Sequence, residues 1–123
     1  DVYKRQRHQR HAQATRLAVQ AWGLELLSLD PAAHSPALTA VLMPAGHGAD
    51  AFRKVVLDRF DMSLGQGLGQ LSDRIFRIGH LGHFNDLTLC GTLAGVEMGL
   101  AAAGVPHRPG GLQAAMEFLA KAP

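Results

Sequence analysis

The run LTLCGTLAGVEMGLAAAGV, residues 87 to 105, constrains the fold more than any other part of this 123-residue chain. Its length approaches the roughly 20 apolar residues that cross a bilayer, so it is either a membrane span or a helix enclosed on most of its sides. Glu97 argues against the bilayer. A carboxylate near the centre of a span costs about 2.5–3.5 kcal/mol on insertion scales, and the surrounding glycines and alanines offset little of it. The expectation is a buried helix over residues 86–104. Gly91, Gly95 and Gly99 stand four apart on it, a spacing that lets another backbone approach closely.

A helix this apolar needs partners, and the remainder of the chain supplies them in mixed order. In RHQRHAQATRLAVQAWG, residues 7–23, apolar Ala14, Leu17, Ala18, Ala21 and Trp22 recur at helical spacing. Gly23 suits the left-handed position that closes a helix, so about four turns should end there. LELLSL and LTAVLM flank the proline-containing DPAAHSPA and read as two strands. ADAFRKVVLDRF places Phe52, Val55, Val56 and Phe60 on one helical face, with Asp50 as its cap. DMSL, the loop GQGLGQLSD and IFRI follow, then helical segments over 86–104 and 111–121. The order α-β-β-α-β-β-α-α is too mixed for a bundle or a sandwich. It predicts one α+β domain: a small, mostly antiparallel sheet with helices on one face.

Composition excludes several classes. With 47% hydrophobic and 18% charged residues the chain can bury a core, which argues against disorder. The single cysteine, Cys90, lies in the apolar run and cannot form an internal disulfide; it reads as a small buried hydrophobe in a reducing, cytoplasmic setting. Five basic residues against Asp1 make residues 1–16 a net +4, and the rest of the chain a net −2. No RNP, zinc-finger or basic-zipper pattern accompanies that arm, so neither nucleic acid nor a membrane is an expected partner. DVYKRQ reads as a leader of the kind translated from the ends of assembled sequence reads. Residues 1–6 are therefore set aside as foreign, and residues 7–123 are expected to be a piece of a longer protein.

The chemistry-bearing motifs are weak one by one. His80, His83 and Asp86 offer zinc-type ligands, but they lie in a turn and not four apart on a helix face, so no metal site is expected. His8, His11, His34, His47 and His107 are scattered through polar or loop contexts. The glycines of GQGLGQLSD miss the dinucleotide pattern, because Gln70 or Ser72 stands where a glycine is needed. Ser63 and Ser72 lack a nucleophile elbow. What remains is Arg77, a cation inside the apolar run IFRI. Strand alternation puts Phe76 and Ile78 on one face and Ile75 and Arg77 on the other. Arg77 is read either as an ion-paired or solvated residue or as a ligand anchor.

RHQRHAQATRLAVQAWGLELL, FRKVVLDRFDMSLGQGLGQL, FRIGHLGHFNDLTLCGTLAGVEMGLAAAGVPHRPGG and AMEFLA together resemble the C-terminal part of the serine–glyoxylate and alanine–glyoxylate aminotransferases, class V of the pyridoxal-phosphate enzymes. The similarity covers nearly everything after residue 6, and RIGHLG followed by FNDL carries most of it. The resemblance implies the small C-terminal domain of a fold-type I enzyme that acts as a homodimer on small amino-acid and oxo-acid substrates. It implies pyridoxal 5'-phosphate as cofactor, and transfer of an amino group from serine or alanine to glyoxylate. Arg77 is implied to bind the substrate carboxylate, with Gly67, Leu68 and Gly69 as a candidate pocket-lining loop. Neither the cofactor lysine nor any other catalytic, cofactor-binding or metal-binding residue is expected among Lys4, Lys54, Lys121 and the rest. The isolated chain should then be inactive. A standalone α+β ligand-binding or interaction domain without catalysis is the alternative.

Overall fold

The structure is a computed structural model and describes residues 2–27, 38–79 and 85–121, apart from the side chains of Lys4 and Leu38. Helix α1 (Val2–Trp22) leads into strand β1 (Glu25–Leu26), and β2 (Leu38–Leu42) is followed by α2 (Ala49–Phe60). Strand β3 (Gly65–Gln66), a single 3-10 turn (Gly69–Leu71) and β4 (Ile75–Gly79) precede α3 (Asp86–Ala102) and α4 (Gly111–Lys121). The element order is the expected one. The sheet runs β1-β2-β4-β3 with every neighbour antiparallel.

Register explains which face the helices cover. Val41 pairs with Phe76 and Thr39 with Ile78, and Val41, Phe76 and Ile78 are all fully buried. Phe76 meets Phe52 of α2 with ring centroids 4.8 Å apart and an interplanar angle of 47°, a tilted aromatic pair of the favourable kind. Leu89, Leu93, Val96 and Leu100 of α3 complete this core with Val19 and Trp22 of α1 and Ala115 and Leu119 of α4. Each fully buried aliphatic side chain contributes about 1.5–3 kcal/mol relative to exposure, so α3 is a central element of the core.

Helix ends follow the signals in the sequence. Gly23 adopts φ +80 and closes α1, its N–H bonded to the Gln20 carbonyl while Leu24 N–H reaches Val19. Gly104 closes α3 the same way at φ +70, with Val105 N–H on the Leu100 carbonyl. These paired bonds satisfy carbonyls that a helix terminus would leave free. Asn85 caps α3 by accepting from Thr88 N at 2.8 Å.

Five local expectations need correction. α1 begins at Val2, well upstream of residue 7, because nothing in YKRQR breaks a helix. Its buried face includes His8, His11 and Thr15, whereas Leu17 and Ala21 are only half-buried. Asp50 is not the cap of α2: Gly48 occupies that position, and the Asp73 carboxylate accepts from Asp50 N at 2.8 Å from across the fold. The third strand is Gly65–Gln66, not DMSL, because pairing to β4 is set by Gly65 opposite Arg77 and Gln66 opposite Phe76. Cys90 is half-buried at the edge of the core; desolvation, followed by the charge of Asp86, pushes its thiol pKa up.

The apolar helix is buried along one face only, through Leu89, Leu93, Gly95, Val96, Gly99 and Leu100, while Leu87 and Met98 are exposed; among the described residues no helix is long and apolar enough to cross a membrane. Glu97 has a structural use. Its carboxylate accepts from Trp22 Nε1 at 2.7 Å, Leu112 N at 3.1 Å and Gly110 N at 3.4 Å, joining the end of α1 to the start of α4. Of the three glycines, Gly95 lies under Met62 and Gly99 under Val56 and Phe52, while Gly91 has open space where a Cβ would be.

Candidate functional site

Arg77 sits in the middle of β4, half-buried, on the face that points away from the helices. Its cross-strand neighbours on that face are Ala40 on β2 and Gly65 on β3, so neither side carries a group long enough to cover the guanidinium. Ile75, two residues back on the same face, is fully buried. The GQGLGQL loop folds over it: a Cβ at Gly67 would lie 2.8 Å from Ile75 Cγ1 and against the Leu71 carbonyl. The arginine is thus the residue of this face that the loop leaves partly uncovered.

Ion pairing separates Arg77 from Arg10, Arg53 and Lys54. Among the described residues the ion pairs join Arg10 and His11 to Asp86, Arg53 to Asp50 and Lys54 to Asp58; none includes Arg77. A guanidinium is charged at any working pH and presents a planar fork of donors matched to two carboxylate oxygens. Held on a strand whose opposite face carries Phe76 and Ile78 into the core, such a fork is available to an incoming carboxylate.

The candidate loop divides. Gly67 is buried beneath Leu71 and Ile75 and serves packing, whereas Leu68 is 62% exposed and Gly69 takes φ +59 with nothing near a Cβ position. The histidines of HLGH lie outside the described residues; Asp86, their expected companion, is taken by Arg10 and His11. A cavity of about 900 Å³ lies away from Arg77, lined by residues that include Tyr3, Arg7, Arg10, His11, Asp86 and Phe118. Its size does not mark chemistry, because the Arg10 fork is already closed on Asp86 Oδ1 at 2.8 Å and Oδ2 at 3.0 Å and on the Leu119 carbonyl at 2.7 Å. The Arg10–His11–Asp86 cluster was missed in the sequence, since Asp86 lies 76 and 75 positions from Arg10 and His11 and no spacing rule connects them.

No family model matches the chain. Individual proteins do. A serine–glyoxylate aminotransferase of Methylorubrum extorquens is 42% identical over 120 residues, 94% of this chain and 30% of that protein. An L-aspartate–glyoxylate aminotransferase of Paracoccus denitrificans is 40% identical over 112 residues, 90% of this chain and 28% of that protein. Among solved structures, the ureidoglycine–glyoxylate aminotransferase of Bacillus subtilis superposes with a TM-score of 0.86 at 29% identity, over 94% of this chain and 30% of that one. This chain is a homologue of the C-terminal part of the serine–glyoxylate and alanine–glyoxylate aminotransferases. It spans about 30% of the length of the curated relatives it matches.

Aminotransferases of this family depend on pyridoxal phosphate, which is held through a lysine imine. The lysines described in this chain do not fit that use. Imine formation needs a neutral amine in a shielded site. Lys54 is exposed, and the hydrogen bond it donates to Asp58 at 2.8 Å, reinforced by that carboxylate's charge, raises its pKa. Lys121 is exposed in the last turn of α4. No step through the cofactor is derived from these residues.

Proposed function

We propose that this chain is the small C-terminal domain, residues 7–123, of a pyridoxal-phosphate-dependent aminotransferase that moves an amino group from serine or alanine to glyoxylate. Arg77 binds the carboxylate common to the amino acids and oxo acids of both half-reactions. One observation carries this reading: a half-buried arginine on the helix-free face of the sheet, flanked by Ala40 and Gly65, with no ion-pair partner among the described residues. The three relatives named above differ in donor while glyoxylate recurs in their names. A carboxylate anchor is the element such enzymes can share. The complete enzyme acts as a homodimer in the cytoplasm, and its upstream part supplies the cofactor lysine. The 123-residue chain alone has no transaminase activity.

The test is made in the complete enzyme. Arg77→Lys keeps the charge and loses the fork, and hydrogen bonds to charged groups contribute about 1.5–3 kcal/mol. The value of kcat/KM for glyoxylate should fall roughly ten- to a hundredfold, with retained cofactor absorbance unchanged. A donor whose carboxylate is replaced by a neutral amide should be a poor substrate and lose little more on mutation. Unchanged efficiency in Arg77→Lys, or equal loss for acid and amide with a lowered Tm, overturns the assignment.

A further inference from the structure

Gly65 lies on an exposed position of the edge strand β3, directly opposite Arg77. Edge positions of this kind favour β-branched or other side-chain-bearing residues, and a glycine inside a strand marks a close approach. Backbone conformation does not demand glycine here, since Gly65 is not among the residues with positive φ, unlike Gly23, Gly46 and Gly69. The close approach is made by the arginine. A Cβ built at residue 65 would stand 3.0 Å from Arg77 Cβ, 3.6 Å from its Cδ and 3.7 Å from its Cγ. The aliphatic stem of Arg77 therefore runs over the bare α-carbon of Gly65.

We propose that Gly65 is a positioning residue for Arg77: the missing side chain is the seat of the arginine stem and sets where the guanidinium offers its donors. This rests on the carboxylate-binding role given to Arg77 above. A methyl at residue 65 would crowd Arg77 Cβ, an atom fixed by the strand frame, so the two strands would have to part by a few tenths of an ångström. A valine would add carbons in the volume now held by Cγ and Cδ and drive Arg77 to another χ1 well. A guanidinium displaced by a rotamer change no longer meets the same carboxylate, and small misplacements of this type are costly to catalysis.

The experiment combines Gly65→Ala, Gly65→Val and Arg77→Lys in the complete aminotransferase carrying this segment, measuring KM and kcat for glyoxylate, cofactor absorbance and Tm. Gly65→Ala should lower kcat/KM about threefold to tenfold and Gly65→Val about thirtyfold or more, chiefly through KM. Absorbance should be unchanged. In the Arg77→Lys background, Gly65→Val should add less than about twofold, because the group it positions has already lost its fork. An equal penalty from Gly65→Val with and without Arg77→Lys overturns the positioning role while leaving the carboxylate reading intact. An Arg77→Lys enzyme of unchanged efficiency overturns both. If the valine variant does not fold, the alanine variant decides by the same cycle.

Discussion

Arg10 and Arg77 are both half-buried guanidinium groups, and the fold treats them in opposite ways. Arg10 closes a cluster in which Asp86, at the first turn of α3, receives both Arg10 Nη1 and His11 Nε2 while Arg10 Nη2 holds the Leu119 carbonyl of α4. Three helices are tied by one guanidinium. Arg77 has small neighbours, no ion-pair partner among the described residues and a face turned from the helices. A cation whose charge is matched internally contributes to stability, and one left unmatched on an otherwise consistent fold is where function is expected. The same distinction runs along α3, where Gly99 is closed by Val56 and Phe52 and Gly91 faces open space.

Removing the carboxylate at the closed centre should have the largest effect. Asp86→Ala strands two donors that are charge-assisted or buried, and should destabilise the chain by about 2–4 kcal/mol in urea unfolding. Retention of wild-type stability would break the contrast, since Arg10 would then be as free as Arg77.

The α3 glycines test the contrast sterically. A methyl at Gly99 would stand 2.5 Å from Val56 Cγ2, so Gly99→Ala should cost about 1–3 kcal/mol through overpacking. Gly91→Ala meets nothing and should be neutral or stabilise by up to about 1 kcal/mol through helix propensity. Equal losses for the two would show that the outer side of α3 is as tightly covered as the inner side.

Acid should act through Glu97. Desolvation raises its pKa, but hydrogen bonds from Trp22 and from the backbone of Leu112, Gly110 and Gly111 together outweigh it, and the net direction is down from the ordinary 4.5. A depressed folded-state pKa means the contribution is complete above pH 4.5 and is lost as pH falls through the lower folded value. Tm should therefore drop on acidification below that point, and Glu97→Gln should flatten this part of the profile. An unaltered pH profile in Glu97→Gln would remove Glu97 from the closed set.

The smallest expected effect is the most informative about Arg77. Arg77→Ala in the isolated chain should change stability by no more than about 0.5 kcal/mol, since no ion pair among the described residues is lost and its stem rests against the bare α-carbon of Gly65. A loss near that of Asp86→Ala would mean that Arg77 is a structural ion-pair residue after all.

Element order, the sheet-and-helix layering and the closing glycine 23 were legible in the sequence, because each depends on residues within one or two helical turns or strand pairs of one another. The site was legible only as one oddly placed arginine. Its setting was not, because Ala40 and Gly65 become its neighbours through β2 and β3, and a register cannot be read from a two-residue strand such as β3. Asp50 failed as a cap for a related reason: the helix already starts at Ala49 behind Gly48, and Asp73, in a left-handed conformation at φ 64 before β4, arrives from 23 positions away to accept from Asp50 N.

Local periodicity and turn chemistry are short-range properties, so the chain's own letters determined where most helices and strands form. Which charges are neutralised is a long-range property. It depends on which surfaces meet once the core has closed, and only the tertiary structure could decide that Arg10 is held by a carboxylate 76 positions away while Arg77 keeps its fork beside a glycine.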